Sequence, residues 1–285
     1  MDPRANLSSK LEDLSAKKIF HKFQCKAEKK FGQNFLFDEK ISSKIVSAAG
    51  NIDGKIVAEV GPGPGGLTLE ILKQNVKKVF VLELDHRWAE AWRSMHSIFG
   101  DKLEVIECDV LKFDMETIAP EIIIANLPYN ISTQLICRWF EKFHLYEQLI
   151  LTFQKEVADR FYASPRTKAY GKLSVLAQWK SKVSKIFDLE AGSFFPTPQV
   201  KSTVVKFMPF ELSKYSHLDK HLAFANLLAA VFAHRRKVAV KSLGIFFPDP
   251  EETLESLGYH KNTRAEEITV VDYIKILEKI CQSKV

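Results

Sequence analysis

Between positions 38 and 208, short apolar runs alternate with stretches whose apolar residues recur about every three to four positions. IVAEV (56–60), VFVLEL (79–84), LEVIEC (103–108), EIIIAN (121–126) and QLILTF (148–153) are strand-length and rich in Ile and Val. The intervening LTLEILKQ, RWAEAWRSM and STQLICRWFEKF carry helical spacing. An earlier helix opens behind Asp38, with Ile41, Ile45, Val46 and Ala49 on one face. Strands alternating with helices predict a mostly parallel sheet covered on both sides. KIFDL and STVVKF bring the strands to seven; the GSFFPTPQV between them holds Gly and Pro that a regular element does not tolerate.

After Pro209 only helical patterns remain: one long helix through HLAFANLLAAVFAHRRKVAVKSL, one at EETLESLG and one from TVVDYIKILEKI, where Thr269 and Asp272 stand at capping-box spacing. The expected organisation is a basic arm over 1–28, an α/β domain over 29–208 and a small all-helical domain over 209–285. The arm has no convincing periodicity before FHKF and reads as flexible or conditionally ordered. Residues 1–30 hold eight Lys/Arg against four Asp/Glu, so this segment contributes +4 of a net +6. Such an arm suits a polyanion, although charged faces are also often merely solvated.

Composition narrows the classes further. At 46% hydrophobic and 27% charged residues the chain can bury a core and has no compositional reason for disorder. Cys25, Cys108, Cys137 and Cys281 form no C-x-x-C pair, so neither zinc nor a disulfide framework is expected. No apolar run reaches the length of about eighteen residues that a membrane span needs. Asp2, Glu12 and Asp13 sit where a signal peptide would be apolar. A cytoplasmic protein is the expectation.

Chemistry enters at the strand ends. IVAEV runs into GPGPGG, whose Gly61, Gly63 and Gly65 let the backbone pass close under a ligand before a helix begins. The next strand ends in Glu83-Leu84-Asp85, about twenty residues on, where a carboxylate can take both hydroxyls of an adenosine ribose. Asp109 ends the third strand and is placed to accept from an adenine amine; strand-end acids are also helix caps, so both roles stay open for it. A dinucleotide enzyme uses similar glycines and acids. The fourth strand, however, ends in Asn126-Leu127-Pro128-Tyr129. An adenine amine is a poor nucleophile because its lone pair is delocalised into the ring. Acceptors such as the Asn126 amide oxygen and the Leu127 carbonyl, which bind its hydrogens, favour a more tetrahedral nitrogen. Pro128 fixes the turn, and Tyr129 offers a face on which an extruded base can stack.

KKFGQNFL (29–36), EVGPGPG (59–65), LELD (82–85), NLPY (126–129), QKEVADR (154–160), YGKLSVL (170–176), FFPTPQVKS (194–202), AHRRK (233–237) and RAEEI (264–268) together resemble the ribosomal RNA adenine dimethyltransferases, above all their small-subunit, KsgA-like branch. The resemblance runs from about Lys29 to the C-terminus. It implies a Rossmann-like class I fold dependent on S-adenosyl-L-methionine, and cofactor contacts at Gln33, Asn34, Leu36, Glu59, Gly61, Gly63, Glu83, Leu84, Asp109, Val110 and Asn126. It implies a target-adenine pocket of Asn126, Leu127, Pro128, Tyr129 and Phe194, with Phe194 facing Tyr129 across the base and Phe195 in the core. No metal is implied.

The implied reaction is dimethylation of adenines in small-subunit ribosomal RNA, with a pre-ribosomal particle as partner and a monomeric enzyme. Family members often read P-x-P-K-V-D-S where this chain has Gln199 and Lys201, which leaves RNA contacts at those two positions open. His234, Arg235, Arg236, Lys237 and Lys241 follow an apolar helical stretch and suit either RNA contact or compensation of a helix dipole. Two rivals remain: a large-subunit adenine dimethyltransferase, and a factor on the same fold that works mainly by binding, in ribosome assembly or beside a polymerase.

Overall fold

The computed structural model describes residues 11, 13–210, 220–233 and 237–282. Ser15 caps the first helix, α1 (Ala16–Phe23), by accepting from the Lys18 N–H. There follow β1 (Phe35–Leu36), α2 (Glu39–Ser47), β2 (Ile56–Val60), α3 (Gly66–Leu72), β3 (Lys78–Glu83), α4 (His86–Ser94), α5 (His96–Phe99), β4 (Leu103–Glu107), β5 (Ile122–Asn126), α6 (Tyr129–Glu141) and β6 (Gln148–Gln154). Then come α7 (Lys155–Phe161), α8 (Lys172–Lys180), β7 (Ser181–Leu189), β8 (Phe194–Phe195), β9 (Ser202–Pro209), α9 (His221–Phe232), α10 (Ala239–Leu243), α11 (Pro250–Glu255) and α12 (Val270–Gln282). Asp38 caps α2 as expected, accepting from the N–H groups of Lys40 and Ile41.

Seven strands form one sheet in the order β4-β3-β2-β5-β6-β9-β7, and β1 pairs with β8 separately. Strands β2 to β6 are parallel to their neighbours, while β9 runs antiparallel to β6. The apolar strands are covered on both faces, which is why Val57, Val79, Ile122, Ile124 and Ile150 are all fully buried.

The chain divides into two compact units, Met1–Ala158 with Ser184–Pro209, and Asp159–Val183 with Phe210–Val285. This differs from the expected break near 208 in two ways. Residues 159–183 belong with the second unit, where α8 contributes Trp179, whose ring meets Phe224 edge-on at 4.4 Å. The described part of the N-terminal arm is also no loose tail: Leu11, Ile19 and Cys25 are buried in the first unit's core. The single long helix expected over 221–243 is two helices. Val238, with an extended backbone, bridges to Arg264 instead of continuing the helix. At α12 the Thr269 hydroxyl accepts from the Asp272 N–H and donates to the Asp272 carboxylate, while the Thr269 N–H is taken by the Tyr259 hydroxyl.

Candidate active site

A cavity of about 230 Å³ opens where β2, β3, β4 and β5 end. Its walls include every residue expected to hold the cofactor, together with Asn126, Leu127, Pro128 and Tyr129. The glycine turn is shaped by its surroundings. Gly61 and Gly63 have φ of +67° and +50°, and a Cβ at Gly63 would lie 2.7 Å from the Phe35 ring. Gly65 has φ +91°, and a Cβ there would lie 2.2 Å from Trp92. Trp92 also donates its indole N–H to the Gly63 carbonyl at 2.8 Å. The indole thus fixes the turn from behind, a role sequence reasoning missed because Trp92 read only as part of an apolar helix face.

Glu83 is buried at the end of β3; one oxygen accepts from the Asp85 N–H at 2.9 Å and the other from the Gly63 N–H at 3.3 Å. Each oxygen keeps a lone pair for a further donor, as a pair of ribose hydroxyls requires. Burial pushes its pKa up to about 7, against the pull of those backbone bonds. Glu59, buried in β2 and accepting from the Thr68 hydroxyl at 2.6 Å, is pushed up to about 8 by burial. Leu84 is 54% exposed within this cavity lining and gives it an apolar face. Asp109 serves as a turn cap, accepting from the Leu111 N–H at 3.0 Å, and still lines the cavity. Two buried carboxyls, an apolar face and a glycine turn suit a cationic adenosine-bearing cofactor.

Gln33 also lines the cavity, but both ends of its amide are used within the protein: it donates to Asp85 at 3.0 Å and accepts from the Glu28 N–H at 2.9 Å. Arg87 completes this knot by ion pairs to Asp85 and Glu28. Burial pushes the Asp85 carboxyl up, but the hydrogen bonds from Arg87 and Gln33 outweigh it and hold Asp85 below the ordinary range.

At the far end of the cavity, Asn126 donates its amide N–H to the Asn34 carbonyl at 2.8 Å. Only the nitrogen end can make that bond, so the amide oxygen is left as an acceptor. The Tyr129 hydroxyl lies 2.6 Å from that of Ser202, a fully buried residue at the start of β9. Burial raises the Tyr129 pKa, opposed by this bond. Ser202 was not singled out as a site residue, although FFPTPQVKS ends on it.

Phe194 stands otherwise than expected. It is 3% exposed, belongs to the first unit's core and does not line the cavity. Pairing of Phe194 with Leu36 in the β1–β8 ladder turns its side chain inward and leaves Phe195, paired with Phe35, 51% exposed. The expected roles of the two rings are thus reversed with respect to burial. Lys201 forms a surface ion pair with Glu190, and the described cysteines are all unbridged. His86, Glu90 and Glu107 lie close enough to share a cation, but Arg93 already bridges the two carboxylates. His234, Arg235 and Arg236 lie outside the described residues.

Known proteins resemble this chain in sequence and fold. Two bacterial proteins named ribosomal RNA small subunit methyltransferase A resemble it along most of their lengths. The one from Ruegeria sp. (strain TM1040) is 37% identical over 90% of this chain and 93% of its own. That from Cereibacter sphaeroides (strain ATCC 17023) is 38% identical over 89% and 92%. The crystal structure of a dimethyladenosine transferase from Plasmodium falciparum superimposes with a TM-score of 0.77 at 27% identity, covering 88% of this chain and 98% of that one. The 23S rRNA methyltransferase ErmE, at 23% identity and TM-score 0.65, shares the fold over 87% of this chain and 100% of its own. The family model described as ribosomal RNA adenine dimethylase matches residues 24–282, and the chain belongs to that family.

Proposed function

We propose that this protein transfers two methyl groups in succession to the exocyclic amine of adenines in small-subunit ribosomal RNA. The observation that carries this reading is the oriented Asn126 amide. With its nitrogen committed to Asn34, its oxygen can only accept, which is what an amine presenting hydrogens requires. The Leu127 carbonyl supplies a second acceptor beside it. Bound together they hold the amine hydrogens and steer the nitrogen lone pair out of the ring plane toward the cavity. Tyr129, anchored by Ser202, presents the ring on which the base rests. Phe194, buried and paired with Leu36 in the β1–β8 ladder, does not line the cavity in which the base would sit.

S-adenosyl-L-methionine supplies an activated methyl group when bound. Glu83 would hold its ribose, Leu84 and Asp109 its adenine, and the Gly61–Gly63 turn the amino-acid end. Small-subunit over large-subunit RNA is favoured by the names of the 37–38% identical relatives, because the ErmE likeness carries the fold alone. A pre-ribosomal particle as partner, a monomeric enzyme, a cytoplasmic setting and RNA contact by the second unit complete the reading.

Incubation with labelled cofactor and separated small and large ribosomal subunits lacking the modification, followed by mapping and mass spectrometry, tests it. Label should enter small-subunit RNA and end as dimethyladenine. Label in the large subunit, or a reaction that stops at monomethyladenine with excess cofactor, would overturn it.

A further inference from the structure

The exposed side of α1 is chemically one-sided. Lys17, Lys18, His21 and Lys22 are exposed along one face, while Ala16 and Ile19 are buried on the other. Residues 14–27 hold four lysines, the fourth being Lys26, and no Asp or Glu. A helix that only needed solubility would mix signs, and its first turn would favour acids near the positive end of the helix dipole. Here that turn carries Lys17 and Lys18 and no acid. Lys18 reaches back to the Asp13 carbonyl at 2.7 Å, whereas Lys17, Lys22 and Lys26 have no carboxylate partner among the described residues.

On another side of the same helix, Phe20 is met by an aromatic ring that burial does not explain. Phe195 meets Phe20 of α1 edge-on at 5.9 Å and Phe37 at 6.0 Å, and half of it remains in solvent. Past Glu28, which pairs with Lys30 and Arg87, come the exposed Lys29 and Lys30, and Lys30 and Phe31 line the cavity itself. Gly32 then closes against the NLPY turn: a Cβ there would lie 2.8 Å from Asn130 and 3.4 Å from Pro128. The chain that leaves α1 thus lines the cavity and packs on the NLPY turn within nine residues of Phe23.

We propose that this surface is the track for the single-stranded RNA that flanks the target adenine. The α1 lysines neutralise its phosphates, and a neighbouring unstacked base lies on Phe195. A base drawn into the cavity leaves the strand beside it unstacked, and a half-exposed ring packed on a helix that carries a row of exposed lysines matches such a strand, because bases supply stacking faces and phosphates supply charge. The inference rests on the adenine-methylating reading of the cavity and names the surface that reading lacks.

Binding of a labelled single-stranded oligoribonucleotide of about 16 nucleotides to the full chain, measured by anisotropy from about 50 to 200 mM salt, tests the track. In Lys17→Gln/Lys22→Gln/Lys26→Gln the slope of log affinity against log salt should fall by about 2, since each lost phosphate contact removes about 0.7. Phe195→Leu should weaken binding roughly 5- to 150-fold with the slope unchanged, and Phe195→Tyr should not. Cofactor affinity by calorimetry should match the parent in all three. Unchanged slope and affinity would overturn the track. So would loss of binding to phosphatidylserine vesicles with the RNA slope intact, which would make the face a membrane contact. A parent that binds RNA with these dependences yet methylates no ribosomal adenine would instead sink the reading of the cavity and leave the track standing.

Discussion

Asn126→Ala and Asn126→Asp together separate the observed tether of the Asn126 amide from its proposed acceptor role. Its nitrogen tethers the 32–36 segment through the Asn34 carbonyl at 2.8 Å, and its oxygen is the proposed acceptor for the amine. Loss of the tether alone costs about 0.5–1.5 kcal/mol, the net value of one neutral hydrogen bond. Loss of an acceptor aimed at charge that develops only during transfer costs more, about 2.7–4 kcal/mol by analogy with oxyanion-hole donors, or roughly 10²- to 10³-fold in rate. The alanine variant should therefore fold, bind RNA, and transfer methyl groups about 10²- to 10³-fold more slowly. Asn126→Asp keeps an acceptor of nearly the same shape but cannot donate to Asn34, so it should lose only about tenfold, near the upper value of the tether. Single-turnover transfer into unmodified small ribosomal subunits, with cofactor and RNA saturating and circular dichroism confirming the fold, measures both. A folded alanine variant at the parent rate would refute the acceptor role, and an aspartate variant at the parent rate would refute the tether.

Glu83→Ala should weaken S-adenosyl-L-methionine binding by about 1.5–3 kcal/mol, the worth of hydrogen bonds to a charged group, with RNA affinity unchanged; calorimetry that finds parent affinity would place the ribose elsewhere. Glu59, raised from 4.5 to about 8 by burial, holds a proton in the folded state that the unfolded chain releases, so its contribution to stability is present below pH 4.5 and lost as pH rises toward 8. Denaturant melts at pH 5 and pH 8 should accordingly show the ligand-free parent losing more stability over that interval than Glu59→Gln, and equal losses would refute the shift. Ser202→Ala and Tyr129→Phe each break the 2.6 Å hydroxyl pair and should each slow transfer a few-fold, by about 0.5–1.5 kcal/mol, with the double variant no worse than either. Additive losses in that cycle would mean the two hydroxyls act independently.

Much of the fold was readable because the local signal and the tertiary role agree. Ile122, Ile123 and Ile124 form a strand because consecutive β-branched residues suit a pleated ribbon, and they sit mid-sheet because nothing in the run needs water. Where the two levels part, the reading stopped. In α8, Ser174, Val175, Leu176, Ala177, Trp179 and Lys180 are all buried, so the helix is enclosed on every side and has no stripe for periodicity to find. The pattern likewise gave no sign that residues 159–183 pack with the second unit rather than with the strands around them. Val238 stands in extended backbone and bridges to Arg264, a partner too distant in sequence for a local pattern to reveal. The helix of the N-terminal arm was missed because its buried residues serve a core whose other members lie far along the chain.

The site shows the same division at finer grain. Residue types named the chemistry: a carboxylate after the second strand, acceptors and an aromatic after the fourth. Orientation did not follow from type. Which of two adjacent phenylalanines faces the core depends on the register of β8 against β1, and a slip of one residue would exchange Phe194 and Phe195. That register is set by a pairing across most of the first unit, between a two-residue strand near the start of the chain and one in a proline-rich loop. The same ladder that buries Phe194 turns Phe195 out beside α1. The ring expected in the core is thus the one left partly exposed, and the described part of an arm read as flexible or conditionally ordered packs against it through Phe20.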